Sequence, residues 1–362
     1  MSARLPTRYA ARYGTKPCNR MSRPRGQRVT VRDLAAETGV SIATVSRVLN
    51  NQANVAPDTR ELVQRAAARL GGQAADPAAV QDRTTQGAVY LRCPYLLTDY
   101  FGLIVSSIAE TLELHGRPLL LNAGEAAQQA QVLPTLAARP GICGAIIVLP
   151  PEPGGQLADL RSTGFPFVVV DPRAPMPRDI AAVSAAHFAG ARSVSNHLVD
   201  LGHRRIGVIA GPRNWLASDA RLAGHASVLA NVGVLPDLRL TRSGEPTAQF
   251  GYHAAGELLD LPELPTALIG FNDKVAVGAL AAAAQRGLRV PEDLSVAGFD
   301  DIDLAQATRP LLTTVRQPLQ EMGRLAVSLL IRLIERHRLD ALHVELATEL
   351  VIRDSTGPAS PR

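Results

Sequence analysis

Polar side chains follow several of the apolar runs in the second part of this 362-residue sequence. Asp171 follows "FVVV" and Asp300 follows "LSVAGF". Carboxylates, amides and hydroxyls can accept hydrogen bonds from vicinal hydroxyl groups, which is the chemistry of a site for a sugar or a nucleoside; a cationic ligand would also be tolerated. The full set consists of Tyr95, Thr98, Asp99, Asp171, Asn272, Asp273, Asp300 and Asp301.

Each of these residues also precedes a predicted helix, so capping of the helix N-terminus is the alternative role. For any single residue the sequence fits both roles equally. For the set, contact with a ligand is favoured, because ligands of open parallel sheets bind beyond the carboxyl ends of the strands.

The elements that position these residues are apolar runs that alternate with amphipathic helical stretches. Continuous apolar strands separated by helices predict parallel sheets that are covered on both faces. The alternation extends over about 260 residues, which predicts two doubly wound lobes. The runs are 88–91, 118–121, 145–149, 167–170, 206–210, 267–271 and 294–299.

A different pattern occupies the stretch "TGVSIATVSRVLN", residues 38–50. On a helical wheel, Val45, Val48 and Leu49 lie on one side. Ser41 is placed to cap the helix N-terminus. The opposite, more polar side holds Ile42, Ala43, Ser46, Arg47 and Asn50. The spacing therefore predicts a helix that packs on one side only.

Another helix is predicted just before this one. Thr30 and Asp33 form a helix start similar to a capping box, and Gly39 ends the helix. Two short helices joined by a tight turn match the helix-turn-helix pattern, whose second helix enters the major groove of DNA. A third helix is expected from Pro57, with Leu62, Ala66 and Leu70 as its apolar side. By periodicity alone, any small helical bundle would also fit.

The charge distribution favours binding of nucleic acid. Residues 1–70 hold 13 Lys and Arg residues against four acidic ones, a net charge of +9, whereas the whole chain carries +5. A basic front on a mildly acidic body is typical of a DNA-binding head joined to another kind of domain.

Other classes of protein lack support in the sequence. It contains no G-x-S-x-G, H-E-x-x-H, P-loop or G-x-G-x-x-G motif, and neither a cofactor nor a metal site is predicted, so we expect no enzyme. The three cysteines are widely separated, which favours a reducing cytoplasm. Binding to DNA would place the protein at the nucleoid. Residues 275–284 are too few to span a bilayer, and residues 1–28 lack the apolar core of a secretory signal.

Residues 29–63, "VTVRDLAAETGVSIATVSRVLNNQANVAPDTRELV", resemble the DNA-binding head of the lactose-repressor (LacI/GalR) family of bacterial transcriptional regulators. The motifs "LGHRRIGVIAGP", "FNDKVAVGAL", "VPEDLSVAGFDD" and "LTTVRQP" extend the resemblance to about residue 354. It implies an α/β protein in which a three-helix helix-turn-helix head precedes a two-lobed periplasmic-binding-protein-like core of doubly wound parallel sheets. It also implies a homodimer on double-stranded operator DNA and a small effector, a sugar or related polar metabolite, in the cleft.

The resemblance assigns roles to individual residues. Ile42, Ala43 and Arg47 match positions that contact base edges. Positions that face phosphates are Thr30, Ser41, Thr44, Ser46, Asn50 and Thr59. Effector contacts are implied for Arg221, Asn272, Asp300 and Gln317, and the strand-end pattern adds Tyr95, Asp99, Phe101 and Asp171.

The expected organisation is a basic arm at 1–28, a DNA-binding domain at 29–71, a hinge at 72–86, a core at 87–354 and a tail at 355–362. Lobe one takes about 87–186 and 318–345, and lobe two about 187–317 and 346–354. The arm is either a disordered segment or an artefact of start-codon choice, with Met21 as the true first residue.

Two segments of the chain depart from the family pattern. The segment "LGGQAADPAAVQDRTTQG" has neither the Tyr-x-Pro-Asn sequence nor the hinge leucine that usually enters the minor groove, so Val80 is the remaining candidate for that wedge. Ala186 and His187 stand where the family usually has Asp-Asn, which puts ordinary sugar specificity in question.

Overall fold

The structure, a computed structural model, describes residues 31–49, 55–69, 87–128, 131–339 and 341–360. The chain separates into two units, Met1–Gln81 and Asp82–Arg362. Within the described residues, no helix is both long and apolar enough to cross a membrane.

The described part of the first unit consists of α1 (Val31–Thr38), α2 (Ile42–Leu49) and α3 (Pro57–Arg69). Gly39 adopts a φ of +68° and allows the chain to leave α1 in the left-handed region. Ser41 caps α2, since its Oγ accepts a hydrogen bond from the Thr44 backbone N–H over 3.2 Å. These helices match the predicted helix-turn-helix.

The apolar side of α2 was predicted correctly where it is described. Val45 and Val48 are buried against Leu34, and Val63 and Ala66 of α3 complete the cluster. For α3, the prediction was correct for Ala66 and wrong for Leu62, which is 46% exposed whereas its neighbour Val63 is buried; Leu70 lies outside the described residues. Packing against α1 and α2 determines which side of α3 is buried. The spacing of apolar residues in α3 did not determine this side by itself.

The second unit begins with a lobe built on a six-stranded parallel sheet, called the six-stranded lobe below. Its strand order is β11-β5-β4-β3-β1-β2. Helices α4 (Asp99–Leu114) and α12 (Leu319–Ile334) cover one face, and α5 (Leu133–Leu136) and α6 (Gly154–Ser162) cover the other. The strands are β1 (Ala88–Cys93), β2 (Leu119–Ala123), β3 (Ile142–Val148), β4 (Phe167–Val170), β5 (Ala181–Ala185) and β11 (His343–Leu346).

The four-stranded lobe has the parallel order β7-β6-β8-β9. Helices α7 (His187–Asp200) and α8 (Leu216–Asn231) pack on one face, and α9 (Ala248–Leu259) and α10 (Asp273–Gln285) on the other. The strands are β6 (Ile206–Ala210), β7 (Thr241–Ser243), β8 (Ala267–Gly270) and β9 (Ser295–Ala297), and the short helix α11 spans Leu304–Ala307.

The chain passes between the two lobes after β5, before α12 and after β11. An antiparallel ribbon of β10 (Thr314–Arg316) and β12 (Glu349–Val351) lies beside two of these passages. The core is therefore the two-lobed arrangement of parallel sheets that the sequence predicted.

The segment expected as a tail packs on the four-stranded lobe over its described part. The Val296 backbone N–H donates to the Ser355 carbonyl over 2.8 Å, and the Ala359 N–H donates to the Leu201 carbonyl over 2.8 Å. His203 turns its buried ring toward this segment, and its Nε2 lies 3.0 Å from the Gly357 carbonyl.

Candidate functional sites

The described surface of α2 carries several of the side chains predicted to contact DNA. Ile42 is 53% exposed and Arg47 is also exposed, whereas Val45 and Val48 on the opposite side hold the helix to the head core. Thr44 lies 2.9 Å from Ser41 through their hydroxyl oxygens. Thr59 and Ser46 are half-buried. Thr30, Asn50, Val80 and the side chain of Ala43 lie outside the described part of the chain.

In the core, Asp171 and Asp300 stand at the carboxyl ends of β4 and β9 with unusual backbone conformations. Their φ angles are +51° and +115°. Non-glycine residues rarely adopt positive φ angles, and those that do are concentrated at functional sites. Backbone hydrogen bonds hold them there: the Asp171 N–H donates to the Val183 carbonyl, and the Asp300 N–H donates to the Val315 carbonyl, each over 2.8 Å.

The Asp171 carboxylate is the centre of a buried hydrogen-bond network. Its Oδ2 accepts from the Tyr100 hydroxyl over 2.8 Å, and its Oδ1 lies 2.9 Å from Nε2 of His187. Burial alone raises the pKa of Asp171, but His187, Tyr100 and Arg221 together lower it below its ordinary value. Asp171 is therefore an ionised acceptor.

Arg221, on α8, provides the donor of the network. Its guanidinium lies between two aromatic rings, 4.3 Å from the Phe271 centroid and 3.7 Å from the Phe299 centroid. Nη1 donates to the Phe271 carbonyl over 2.5 Å, and Nη2 lies 3.3 Å from Nδ1 of His187. The position of this buried cation is thus fixed on several sides.

Asp300 completes the network on the other side of Arg221. Its Oδ1 lies 3.9 Å from Nη2 of Arg221 and accepts a hydrogen bond from Nε2 of Gln317 over 2.6 Å. Burial raises the pKa of Asp300 to about 7, although Arg221 and Gln317 oppose the shift. The Gln317 Oε1 is buried and has no hydrogen-bond partner within the described residues. Asp300 is therefore not a helix cap.

For Asn272 the capping alternative is correct. Its Oδ1 accepts from the Val275 N–H over 3.0 Å at the start of α10. Asp273 is fully buried and accepts from the Ile302 N–H over 2.9 Å and from the Thr314 hydroxyl over 2.5 Å. Asp301 forms ion pairs with Arg316 and Arg353 at the β10–β12 ribbon. Asp273 and Asp301 thus bond to structural elements, and a ligand contact by Asn272 stays a prediction.

Aromatic side chains line the six-stranded side of the cleft. Tyr95 and Phe101 stack with their ring centroids 4.5 Å apart. The Tyr95 hydroxyl donates to the Leu149 carbonyl over 3.1 Å and accepts from Nη2 of Arg173 over 2.7 Å. The Arg173 guanidinium lies 5.1 Å from the ring centroid of Trp215, on the four-stranded side.

Two further contacts join the lobes at the edges of the cleft. Lys274 Nζ lies 3.4 Å from Asp99 Oδ2 and donates to the Thr98 hydroxyl over 3.1 Å. The Leu216 N–H donates to the Arg173 carbonyl over 2.8 Å. The lobes therefore face each other across a cleft whose buried centre is polar.

The structure brings together Asp171, Arg221, Asp300 and Gln317, all four expected from the sequence. It adds His187, Tyr100, Arg173 and Trp215, which sequence reasoning did not assign to the site. His187 was visible only as a departure from the family pattern. Tyr100 sits next to Asp99 and could have been found by extending the strand-end rule by one residue.

The described geometry defines a class of protein: a helix-turn-helix head followed by a two-lobed core with a polar cleft is a DNA-binding regulator with a ligand-binding domain. Comparisons with known proteins agree with this class. Residues 30–71 match the family model for bacterial regulatory proteins of the lacI family, and residues 195–356 match the periplasmic binding protein-like domain.

The HTH-type transcriptional repressor CytR of Escherichia coli (strain K12) is 34% identical over 330 residues, which cover 90% of this chain and 96% of that repressor. The solved lac repressor dimer, bound to operator and the anti-inducer ONPF, shares 30% identity with a TM-score of 0.68. The complex of the transcriptional regulator CelR with cellobiose shares 30% identity with a TM-score of 0.67. Each match covers 91% of this chain and 100% of the solved chain. This chain belongs to the LacI family of bacterial transcriptional regulators.

Proposed function

We propose that this regulator represses transcription and that an uncharged polyhydroxylated ligand, a sugar or a nucleoside, controls its hold on operator DNA from the cleft. The observation that carries the proposal is the buried polar network at the strand ends, in which Asp171 of one lobe meets Arg221 and Asp300 of the other through His187. Such a network responds to any ligand that changes the distance between the lobes.

The charges of the network favour an uncharged ligand. Asp171 is ionised, and the guanidinium of Arg221 is already shared among the Phe271 carbonyl, His187 and Asp300. A phosphate or carboxylate in this position would meet two aspartates and a cation that is already engaged, whereas hydroxyl groups can donate to the aspartates and accept from Arg221. The CelR complex contains cellobiose, which is an uncharged sugar.

Both sides of the cleft contribute ligand contacts in this proposal. The stacked Tyr95 and Phe101 rings offer an apolar wall for a sugar or base ring. Hydrogen bonds to the ligand come from Asp99, Asp171, Arg221, Asn272, Asp300 and Gln317.

In the head, Ile42, Ala43 and Arg47 contact base edges in the major groove. Phosphate contacts come from Thr30, Ser41, Thr44, Ser46, Asn50 and Thr59, and Val80 enters the minor groove from the hinge. Support comes from the exposure of Ile42 and Arg47 on a helix that is anchored from its opposite side.

The domain boundaries proposed from the sequence are retained, with lobe one at about 87–186 and 318–345 and lobe two at about 187–317 and 346–354. The regulator acts as a homodimer, like the lac repressor dimer on its operator. The edge strand β2 supplies a self-association surface, because Leu120 and Leu121 are exposed by 47% and 42% on an unpaired strand edge.

The regulator catalyses no reaction and acts in the cytoplasm at the nucleoid, in line with relatives that are DNA-binding transcriptional regulators. The competing function is that of a solute-binding protein with the same core, but the helix-turn-helix head is evidence against it.

A two-stage experiment tests the proposal. An operator is first selected from random DNA, and its affinity is then measured by fluorescence anisotropy with matched probes: ribose and its phosphate ester, glucose and its phosphate ester, uridine and its monophosphate. We expect an uncharged probe to change operator affinity and raise the Tm, with no effect from its phosphorylated partner. Sequence-specific operator binding that no probe alters would contradict ligand control, and a preference for a phosphorylated probe would contradict the uncharged class.

A further inference from the structure

His187 lies between the two key charged groups of the cleft and contacts both of them. It is the first residue of α7, immediately after the chain leaves the six-stranded lobe. Its ring is 7% exposed, with Nε2 2.9 Å from Asp171 Oδ1 and Nδ1 3.3 Å from Arg221 Nη2. One imidazole thus connects a carboxylate of one lobe to a guanidinium of the other.

The two neighbours determine where the ring carries its proton. Arg221 can only donate, so the His187 Nδ1 that faces it must be the acceptor. Asp171 accepts, so Nε2 must carry the hydrogen. A hydrogen on Nδ1 would point at the guanidinium, which offers no acceptor. The geometry therefore places a hydrogen on Nε2 and leaves Nδ1 as the acceptor.

We propose that His187 is a positioning residue for ligand recognition, which fixes Asp171 as an acceptor and Arg221 as a donor and thereby gives the cleft its preference for uncharged ligands. The preference follows because His187 occupies one donor of Arg221 that a phosphate or carboxylate would otherwise use. Asp171 takes its second contact from the other lobe through this ring, whereas Arg221 is held by His187 and by the Phe271 carbonyl within the four-stranded lobe. The ligand class rests on the function proposed above, whereas the ring geometry does not.

The tautomer can be measured without any ligand. Long-range ¹H–¹⁵N NMR spectra of the full-length protein distinguish hydrogen on Nε2 from hydrogen on Nδ1, and the His187 signals are assigned by their loss in His187→Gln. We expect the Nε2–H form near neutral pH. A ring with hydrogen on Nδ1, or a positively charged ring, would overturn the proposal.

Two conservative variants separate the two contacts. His187→Gln can keep a donor toward Asp171, and His187→Asn can keep an acceptor toward Arg221, while His187→Ala keeps neither. We expect His187→Ala to bind its best uncharged probe roughly tenfold more weakly and to discriminate less against the phosphorylated partner, with partial recovery in the two amide variants.

The matched control is His203→Gln. His203 is also buried and bonded through both ring nitrogens, to Thr266, Ser295 and the Gly357 carbonyl, but all its partners lie outside the cleft network. His203→Gln should lower the Tm and leave probe affinity within about twofold of the parent.

Unchanged affinity and selectivity in a folded His187→Ala protein would overturn the positioning role. If the parent binds no probe of either kind, the ligand class proposed above is wrong, and the NMR measurement still decides the orientation of His187. If the parent binds only a phosphorylated probe, both the ligand class and the selectivity assigned to His187 are wrong.

Discussion

The Lys274 ammonium of α10 lies 3.4 Å from the Asp99 carboxylate at the start of α4, so an ion pair joins the two lobes at the edge of the cleft. The side chains of Lys274 and Asp99 are 34% and 41% exposed, and Lys274 also donates to the Thr98 hydroxyl. Ion pairs with this exposure contribute less than about 1 kcal/mol. The pair therefore does not hold the lobes together by itself.

We expect Lys274→Gln to speed ligand release by about two- to fivefold, because one of the contacts that join the lobes is lost. Trp215 is the only tryptophan of the chain and contacts Arg173 across the cleft, so stopped-flow fluorescence can follow release directly. A double-mutant cycle with Asp99→Asn provides the control. If the two single effects add in the double variant, the ion pair does not couple the lobes.

Asp300→Asn should reduce the ligand response without weakening operator binding. The substitution keeps the shape and one acceptor oxygen of a buried side chain that bonds to Gln317 and lies near Arg221. At about pH 8, where Asp300 is ionised, loss of a charge-assisted hydrogen bond to a ligand hydroxyl corresponds to about 1.5–3 kcal/mol, or roughly a ten- to hundredfold higher probe concentration for the same response. Operator-release curves that overlay those of the parent would remove Asp300 from the ligand site.

Asp300 should also make stability depend on pH. Burial raises its pKa from the ordinary 3.8 to about 7, so the folded state binds this proton more tightly than the unfolded state. The stabilisation is complete below the unfolded pKa and is lost as the pH rises toward the folded value. We expect urea unfolding to show a lower free energy of unfolding at about pH 8 than at about pH 5, with a smaller difference in Asp300→Asn.

Some pH dependence should remain in that variant, because burial also raises the pKa of Asp273. The pKa of Asp171 is instead lowered below its ordinary value, so Asp171 changes protonation below this pH window. Equal pH dependence in the parent and in Asp300→Asn would show that Asp300 is already ionised throughout the window.

Arg47 should read one base pair of the operator. It is exposed on α2, and its guanidinium has the fork geometry that fits the O6 and N7 acceptors of guanine. Replacement by Ala should cost about 1–3 kcal/mol of discrimination at that base pair. Selection from random DNA with parent, Arg47→Ala and Arg47→Lys proteins tests this, since Lys keeps the charge but not the fork. An unchanged consensus in Arg47→Ala would contradict base reading by Arg47.

The protein should be a dimer whose contact includes β2. Leu120→Lys places a charge on the exposed strand edge and should shift the dimer toward monomer at micromolar concentration, as measured by light scattering. Leu235→Lys is the control, because Leu235 is 82% exposed on a loop of the other lobe and should leave the mass unchanged. A tetramer mass for the parent, or a dimer unaffected by Leu120→Lys, would contradict this assembly.

The sequence by itself determined the class of each element where the local pattern is strong. The Val45 and Val48 spacing placed α2 on its core, and the apolar runs located β1, β2, β3, β4, β6, β8 and β9. Apart from the half-exposed edge strand β2, these strands are buried on both faces and are therefore apolar throughout. Strands β5, β7, β10, β11 and β12 were not predicted. Among them, β5 is rich in alanine and β11 is an edge strand with alternating exposure, so neither contains a continuous run of large apolar residues.

Only the tertiary structure decided which polar residues meet. Asp171 and His187 are 16 residues apart and belong to different lobes, and Arg221 reaches the Phe271 carbonyl 50 residues further along the chain. Asn272 and Asp300 both follow strands, yet one caps a helix and the other bonds to Gln317. The periodicity of a sequence describes one helix or strand at a time. These pairings depend instead on where the chain crosses between the lobes and on the strained backbone at the strand ends. Packing between distant segments of the chain determines both.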